Sequence, residues 1–156
     1  MLALGVSALL PRITVLAGEQ AQPPRGFLAD PLTGVAMGGY DPVSYFTEDA
    51  PQIGRPDFEW VWAGLPWYFT SAANRDVFMR APEIYAPQFS GRCLLSLSRG
   101  YLSDGDPRLY AVYEQRLFLF YSVGNREAFL LSPGEALHTA ESEWPKLSAA
   151  ISSRIG

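Results

Sequence analysis

Two of the residue types that most often bind transition metals are almost missing from this chain. Among 156 residues there is one cysteine, Cys93, and one histidine, His138. A single cysteine excludes an intramolecular disulfide and any multi-cysteine zinc or iron–sulfur site within one chain. It also leaves the redox compartment undetermined. Lysine is equally scarce: Lys146 is the only one among twelve basic residues, and the eleven arginines are scattered without a run. At a net charge of −4 the chain has no concentrated positive footprint to displace counterions from phosphates, which argues against a nucleic-acid partner. Long apolar runs are absent too. The longest stretch, residues 1–18, is broken at Pro11-Arg12 and is too short for a stable membrane span.

That first stretch is followed by Glu19-Gln20-Ala21-Gln22-Pro23-Pro24-Arg25, polar and proline-rich. Small residues at Ala17, Gly18 and Ala21 resemble a cleavage zone, although the charged start of a leader is missing and a longer precursor would have to supply it. Residues 1–26 are therefore read as a signal peptide or an N-terminal extension with its linker, and residues 27–156 as the folded domain. Export to the periplasm or medium follows if the leader reading holds, and a cytoplasmic location if it does not.

What is abundant is turn chemistry and aromatic residues. Thirteen prolines and fourteen glycines imply many short elements rather than a long-helix bundle. Asp41-Pro42 can open a helical turn, with the carboxylate as cap and proline in first position. Phe58–Trp62 and Trp67–Thr70 read as one hairpin, with Gly64 and Pro66 in its loop. Leu109–Tyr113 and Leu117–Tyr121 read as a second, whose continuous apolar arm predicts a strand buried on both faces. Ser71 is the expected N-cap of a helix over residues 72–80, with Ala73, Val77, Phe78 and Ala81 as its apolar stripe. Residues 88–100 suit a strand or a short helix, and Asp104-Gly105-Asp106-Pro107 reads as a turn. From Asn125 to Ile151 the pattern is helical, interrupted at Pro133-Gly134 and bent near Pro145. No internal repeat and no low-complexity tract is read. The predicted class is α+β: a small antiparallel sheet built from two hairpins, with packed helices.

Several blocks resemble the YHS domain, a small α+β module associated with metals. They are Gly39–Phe46, Trp67–Ser71, Asn74–Phe78 and Ala81–Tyr85. Ser44, Thr70 and Asn74 stand where that pattern carries cysteines. The similarity continues through Tyr85–Cys93, Asp104–Pro107, Arg116–Tyr121 and Ala140–Leu147, which look like segments of a YHS-containing family of small, usually exported bacterial proteins. Phe120 and Arg92 depart from that family, which has asparagine and tyrosine at those places.

Three function classes are weighed. A metal site would use the Cys93 thiolate, with copper or zinc favoured by a soft ligand. His138 and Met37 are its conceivable partners, yet none is spaced as a motif; His138 reads better as a surface residue and Met37 as core. Catalysis by Ser44, Ser71 or Cys93 would need His138 as base, and nothing brings it near them. A small-ligand pocket would draw on the aromatic residues together with Tyr40, Asp41, Gln88 and Cys93, because the family blocks bring polar and aromatic residues together. The expectation is a small exported binding protein for a metal ion or small ligand, without catalytic activity. The alternatives are a degenerate scaffold for an unidentified protein partner, or an enzyme of unrecognised type.

Overall fold

A computed structural model describes residues 26–155; the predicted leader lies outside them. The fold is α+β, with two antiparallel hairpins and packed helices, and each hairpin forms its own two-stranded sheet. The first half runs through a 3₁₀ turn (Met37–Gly39), α1 (Ser44–Thr47), β1 (Arg55–Trp62), β2 (Leu65–Phe69), α2 (Ala72–Arg80) and α3 (Pro82–Tyr85). The second half runs through a 3₁₀ turn (Gln88–Gly91), α4 (Leu94–Ser98), β3 (Asp106–Tyr113), β4 (Arg116–Phe120), α5 (Val123–Leu131) and α6 (Pro133–Ile155). The order is the same in both halves.

The chain therefore contains an internal repeat, contrary to the reading from sequence. The correspondence reaches individual residues. Ser71 accepts a hydrogen bond from the Asn74 N–H, and Ser122 accepts one from the Asn125 N–H, each at 3.1 Å, capping α2 and α5. Phe78 and Phe129 sit at the same point of those helices, both fully buried. Pro82 and Pro133 open the helices that follow. Both hairpins slip register at one place: Arg55 faces Phe69 and Asp106 faces Phe120, but the next pairs are Glu59–Tyr68 and Tyr110–Leu119. Each hairpin closes through two residues with positive φ, Ala63-Gly64 and Glu114-Gln115, the conformation whose twist suits tight hairpins.

Other expectations are corrected locally. Asp104-Gly105-Asp106-Pro107 is not a turn. Asp104 bridges Arg92 and Asp106 begins β3, so the segment is extended. Gly105 is needed for close approach: its N–H donates to the Gly91 carbonyl at 3.0 Å, and a Cβ there would lie 2.5 Å from that same oxygen. Gly54 plays this part in the first half, donating to Gly39 O at 2.9 Å. Residues 88–100, read as a strand or a short helix, hold the 3₁₀ turn and α4, with Arg92 and Cys93 in isolated β-bridges between them. In α2 only Phe78 is fully buried, while Ala73 is exposed.

Two apolar clusters form the core, and β4 joins them. Alternate strand residues face opposite ways. Leu117 and Leu119 complete the cluster of Met37, Val43, Tyr45, Trp67, Phe69 and Phe78 in the first half. Phe118 and Phe120 face the cluster of Leu94, Leu97, Phe129, Leu137 and Ala140 in the second. Burial on both faces of β4 is as its sequence predicts. Among the described residues, no helix is long and apolar enough to cross a membrane.

Candidate functional site

Asp41 is fully buried, and its carboxylate accepts four hydrogen bonds. The Val43 N–H donates to Oδ1 at 2.9 Å, a local turn closure. Oδ2 receives the Thr70 N–H and the Thr70 hydroxyl, both at 2.9 Å, and the Asn74 side-chain amide at 2.7 Å. Ser44 donates its hydroxyl to the Asp41 carbonyl at 2.6 Å and accepts from the Gln52 N–H at 2.9 Å. So Ser44, Thr70 and Asn74, the residues aligned by resemblance with cysteines of the YHS pattern, do come together around Asp41. What they surround is a carboxylate, satisfied by neutral donors. Asp41 is more than the helix cap expected of it: α1 itself begins at Ser44, and its formal cap, Val43, makes no side-chain bond.

Cys93 occupies the matching position in the second half. Its N–H donates to the Ser103 carbonyl at 2.9 Å, as that of Asp41 donates to Gln52 O at 2.9 Å. Asn125, the counterpart of Asn74, points its amide at the sulfur, 3.4 Å away. Burial alone would push the thiol's pKa up from the ordinary 9.0. The Ser96 hydroxyl and N–H, the Tyr121 N–H and the Asn125 amide outweigh it, and the net shift is downward. The thiol lies in a cradle of donors, as the Asp41 carboxylate does.

The remaining predicted site residues are elsewhere. Tyr40 is half-buried, edge-on to Tyr45 at 6.4 Å. Gln88 takes the Arg116 guanidinium through its side-chain oxygen at 3.3 and 3.4 Å, and borders a shallow hollow with Glu83, Phe89 and Trp144. Tyr40, Asp41, Gln88 and Cys93 therefore do not line one pocket. Met37 is core and His138 is exposed. Among the described residues, no three His, Cys, Asp or Glu side chains are grouped to hold a metal.

A cleft that the sequence did not point to lies where the halves meet. It encloses about 180 Å³. Its floor is Met37, Trp67 and Leu119, all buried, and its sides include Gly38, Ser90, Gly91 and Gly105. Residues 27–31 strap over one side: Leu28 N–H donates to Ser90 O at 3.0 Å, while Ala29 bridges Ala36 of the first half. Phe27 anchors the strap against Trp62 and Trp67, with ring centroids 5.2 and 5.4 Å apart. The backbone beside the cleft is strained in both halves. Met37 and Gly38 have φ of 57° and 58°, and Phe89, Ser90 and Gly91 have 55°, 54° and 84°. Three of these five are not glycine, and left-handed backbone costs such residues about 1–3 kcal/mol each. Sequence held one signal for this: a Gly-Gly and a Ser-Gly precede Tyr40 and Arg92 at equivalent places.

Comparison with family models, curated proteins and solved structures gives no match.

Proposed function

We propose that this chain is a small exported binding protein whose ligand is a small molecule held in the cleft between the two halves, and that it has no catalytic activity. The observation that supports this is the strained backbone on both sides of an apolar-floored cleft. Strain of that kind persists where the surrounding fold over-determines it, and it concentrates at functional sites. Concave apolar sites with a few convergent polar groups are the usual form of a ligand pocket. By volume the cleft corresponds to about six water molecules, so the ligand, or the part of it that enters, is small.

Metal handling through Cys93 is less well supported. The groups directed at the thiol are a hydroxyl, an amide and backbone N–H groups, which are hydrogen-bond donors rather than metal ligands. The likeness to YHS modules adds no ligand set, because its thiolate positions are filled by residues that bond to Asp41. Export rests on the reading of residues 1–26 as a leader and linker.

The test is a thermal-shift screen of small molecules, read alongside tryptophan emission because Trp67 forms part of the floor. Compounds that raise Tm in the wild type are expected to lose their effect in Leu28→Trp, which crowds the cleft from the strap. Equal shifts in both proteins would reject the cleft. Near-stoichiometric copper or zinc that disappears in Cys93→Ser would replace the reading with a metal site.

A further inference from the structure

We propose that the cleft selects a small organic cation, an amine or amidine carried on a short apolar body. This rests on the cleft being the binding site. The charge along its lining is of one sign. Asp30 and Asp104 border it, and no lysine, arginine or histidine does.

Both carboxylates have capacity left. Asp30 is oriented by its own turn: Oδ1 accepts the Leu32 N–H at 3.0 Å, the Thr33 N–H at 2.8 Å and the Thr33 hydroxyl at 3.0 Å. These donors, the Thr33 N–H foremost, hold its carboxyl below the ordinary carboxylate range, so it is ionised at neutral pH. Oδ2 takes no hydrogen bond from the described residues and is available to a ligand. Asp104 is paired only loosely, with Arg92 Nε at 3.9 Å, beyond direct hydrogen-bond distance, and its side chain is three-quarters exposed. Beneath these acids the floor is apolar, and an aromatic ring, Phe27, stands beside it. An ammonium or amidinium head meets the carboxylates and its body meets Met37 and Leu119; the mostly buried Arg92 guanidinium, 3.9 Å from Asp104 and 3.5 Å from Ser90 O, offsets part of the Asp104 charge and leaves Asp30 as the principal partner. An anion would meet two like charges, and a neutral molecule would leave them unused.

Three benzyl-sized probes of different charge separate this proposal from the cleft reading beneath it: benzylamine, benzyl alcohol and benzoate, titrated by calorimetry against the full chain. Benzylamine is expected to bind at least about tenfold more tightly than benzyl alcohol, as a charge-assisted hydrogen bond implies, and to weaken with added salt. Benzoate is expected to be the weakest. Asp104→Asn and Asp30→Asn should each lower benzylamine affinity several-fold and leave benzyl alcohol unchanged. Asparagine at position 30 keeps an oxygen for the turn, so that variant retains the strap. Equal affinity for all three probes, abolished by Leu28→Trp, would overturn the charge selection while leaving the cleft as the site. Benzylamine binding that survives Leu28→Trp, or no binding of any probe, would overturn both.

Discussion

Asp41 and Cys93 are the two residues whose replacement tells most about how the molecule holds together. Removing a buried acceptor strands every donor aimed at it, at about 1–3 kcal/mol per group. Asp41→Ala would leave the Val43 and Thr70 N–H groups unpaired and take one partner from the Asn74 amide, which keeps only its bond to the Thr70 hydroxyl, so its cost should exceed the roughly 0.5–2 kcal/mol of a lost helix cap. Asp41→Asn keeps one acceptor and should cost less. Urea unfolding of the two variants checks this; an Ala variant as stable as a cap deletion would show that the network carries no weight. Cys93 makes a prediction about pH. Its pKa is lower folded than unfolded, so the unfolded chain binds more protons between the two values and stability there rises with pH. The contribution is complete above the unfolded value near 9.0 and is lost as pH falls through the lowered one. Tyr45 works in the opposite sense. Burial raises its pKa, its hydroxyl donates to Pro107 O at 2.7 Å, and the stability linked to the neutral phenol is lost only above its unfolded pKa of about 10. The gap in Tm between wild type and Cys93→Ala, set at every pH by the lost core packing, should therefore be smallest near pH 7 and widen toward pH 9.5. Parallel curves would mean the thiol is not held as described.

Element by element, the turns and caps follow local chemistry, and this is where the sequence was most legible. Ser71 before Ala72–Arg80 and the aromatic arms of the hairpins could be read directly, because capping and strand propensity act over a few residues. The Asp-Gly-Asp-Pro segment misled for a physical reason. Gly105 is there to let its backbone reach Gly91, a contact fourteen residues away that no local turn rule contains. The cleft was invisible for the same reason, since Leu28, Met37 and Ser90 meet only in three dimensions. The repeat, by contrast, was in view: Ser71-x-x-Asn74-Arg75 returns as Ser122-x-x-Asn125-Arg126, with Phe78 and Phe129, then Pro82 and Pro133, at the same spacing. It is masked because strand residues diverge freely while they stay apolar. The second hairpin turn yields a prediction at this scale. Glu114 and Gln115 hold φ of 50° and 58°, where the first hairpin has Gly64 in the second place. Gln115→Gly should stabilise by about 1 kcal/mol through relief of left-handed strain, reduced by the extra entropy of the unfolded glycine. A lower Tm would show that the side chain contributes more than the strain costs.

At the scale of the whole molecule, the repeat does not make two independent halves. A free two-unit array would bury each core with its own residues, whereas here Leu117 and Leu119 of the second hairpin complete the first core. Tyr45 of the first half packs edge-on against Tyr110 of the second at 4.9 Å and donates to Pro107 beside it, tying α1 to β3. The strap of residues 27–31 adds a third link across the cleft. The geometry of any ligand site between the halves is thus fixed by packing rather than by a hinge. Two consequences can be measured. Leu119→Ala should cost about 2–5 kcal/mol, the usual range for emptying a buried leucine site, and should melt both halves in a single calorimetric transition. A fragment of residues 26–87, which contains every first-half element but lacks β4, should show no cooperative unfolding, because the exposed underside of its core has lost its cover. A dispersed amide spectrum and a sharp melt from that fragment would mean that the first half folds alone and that β4 only docks onto a finished unit.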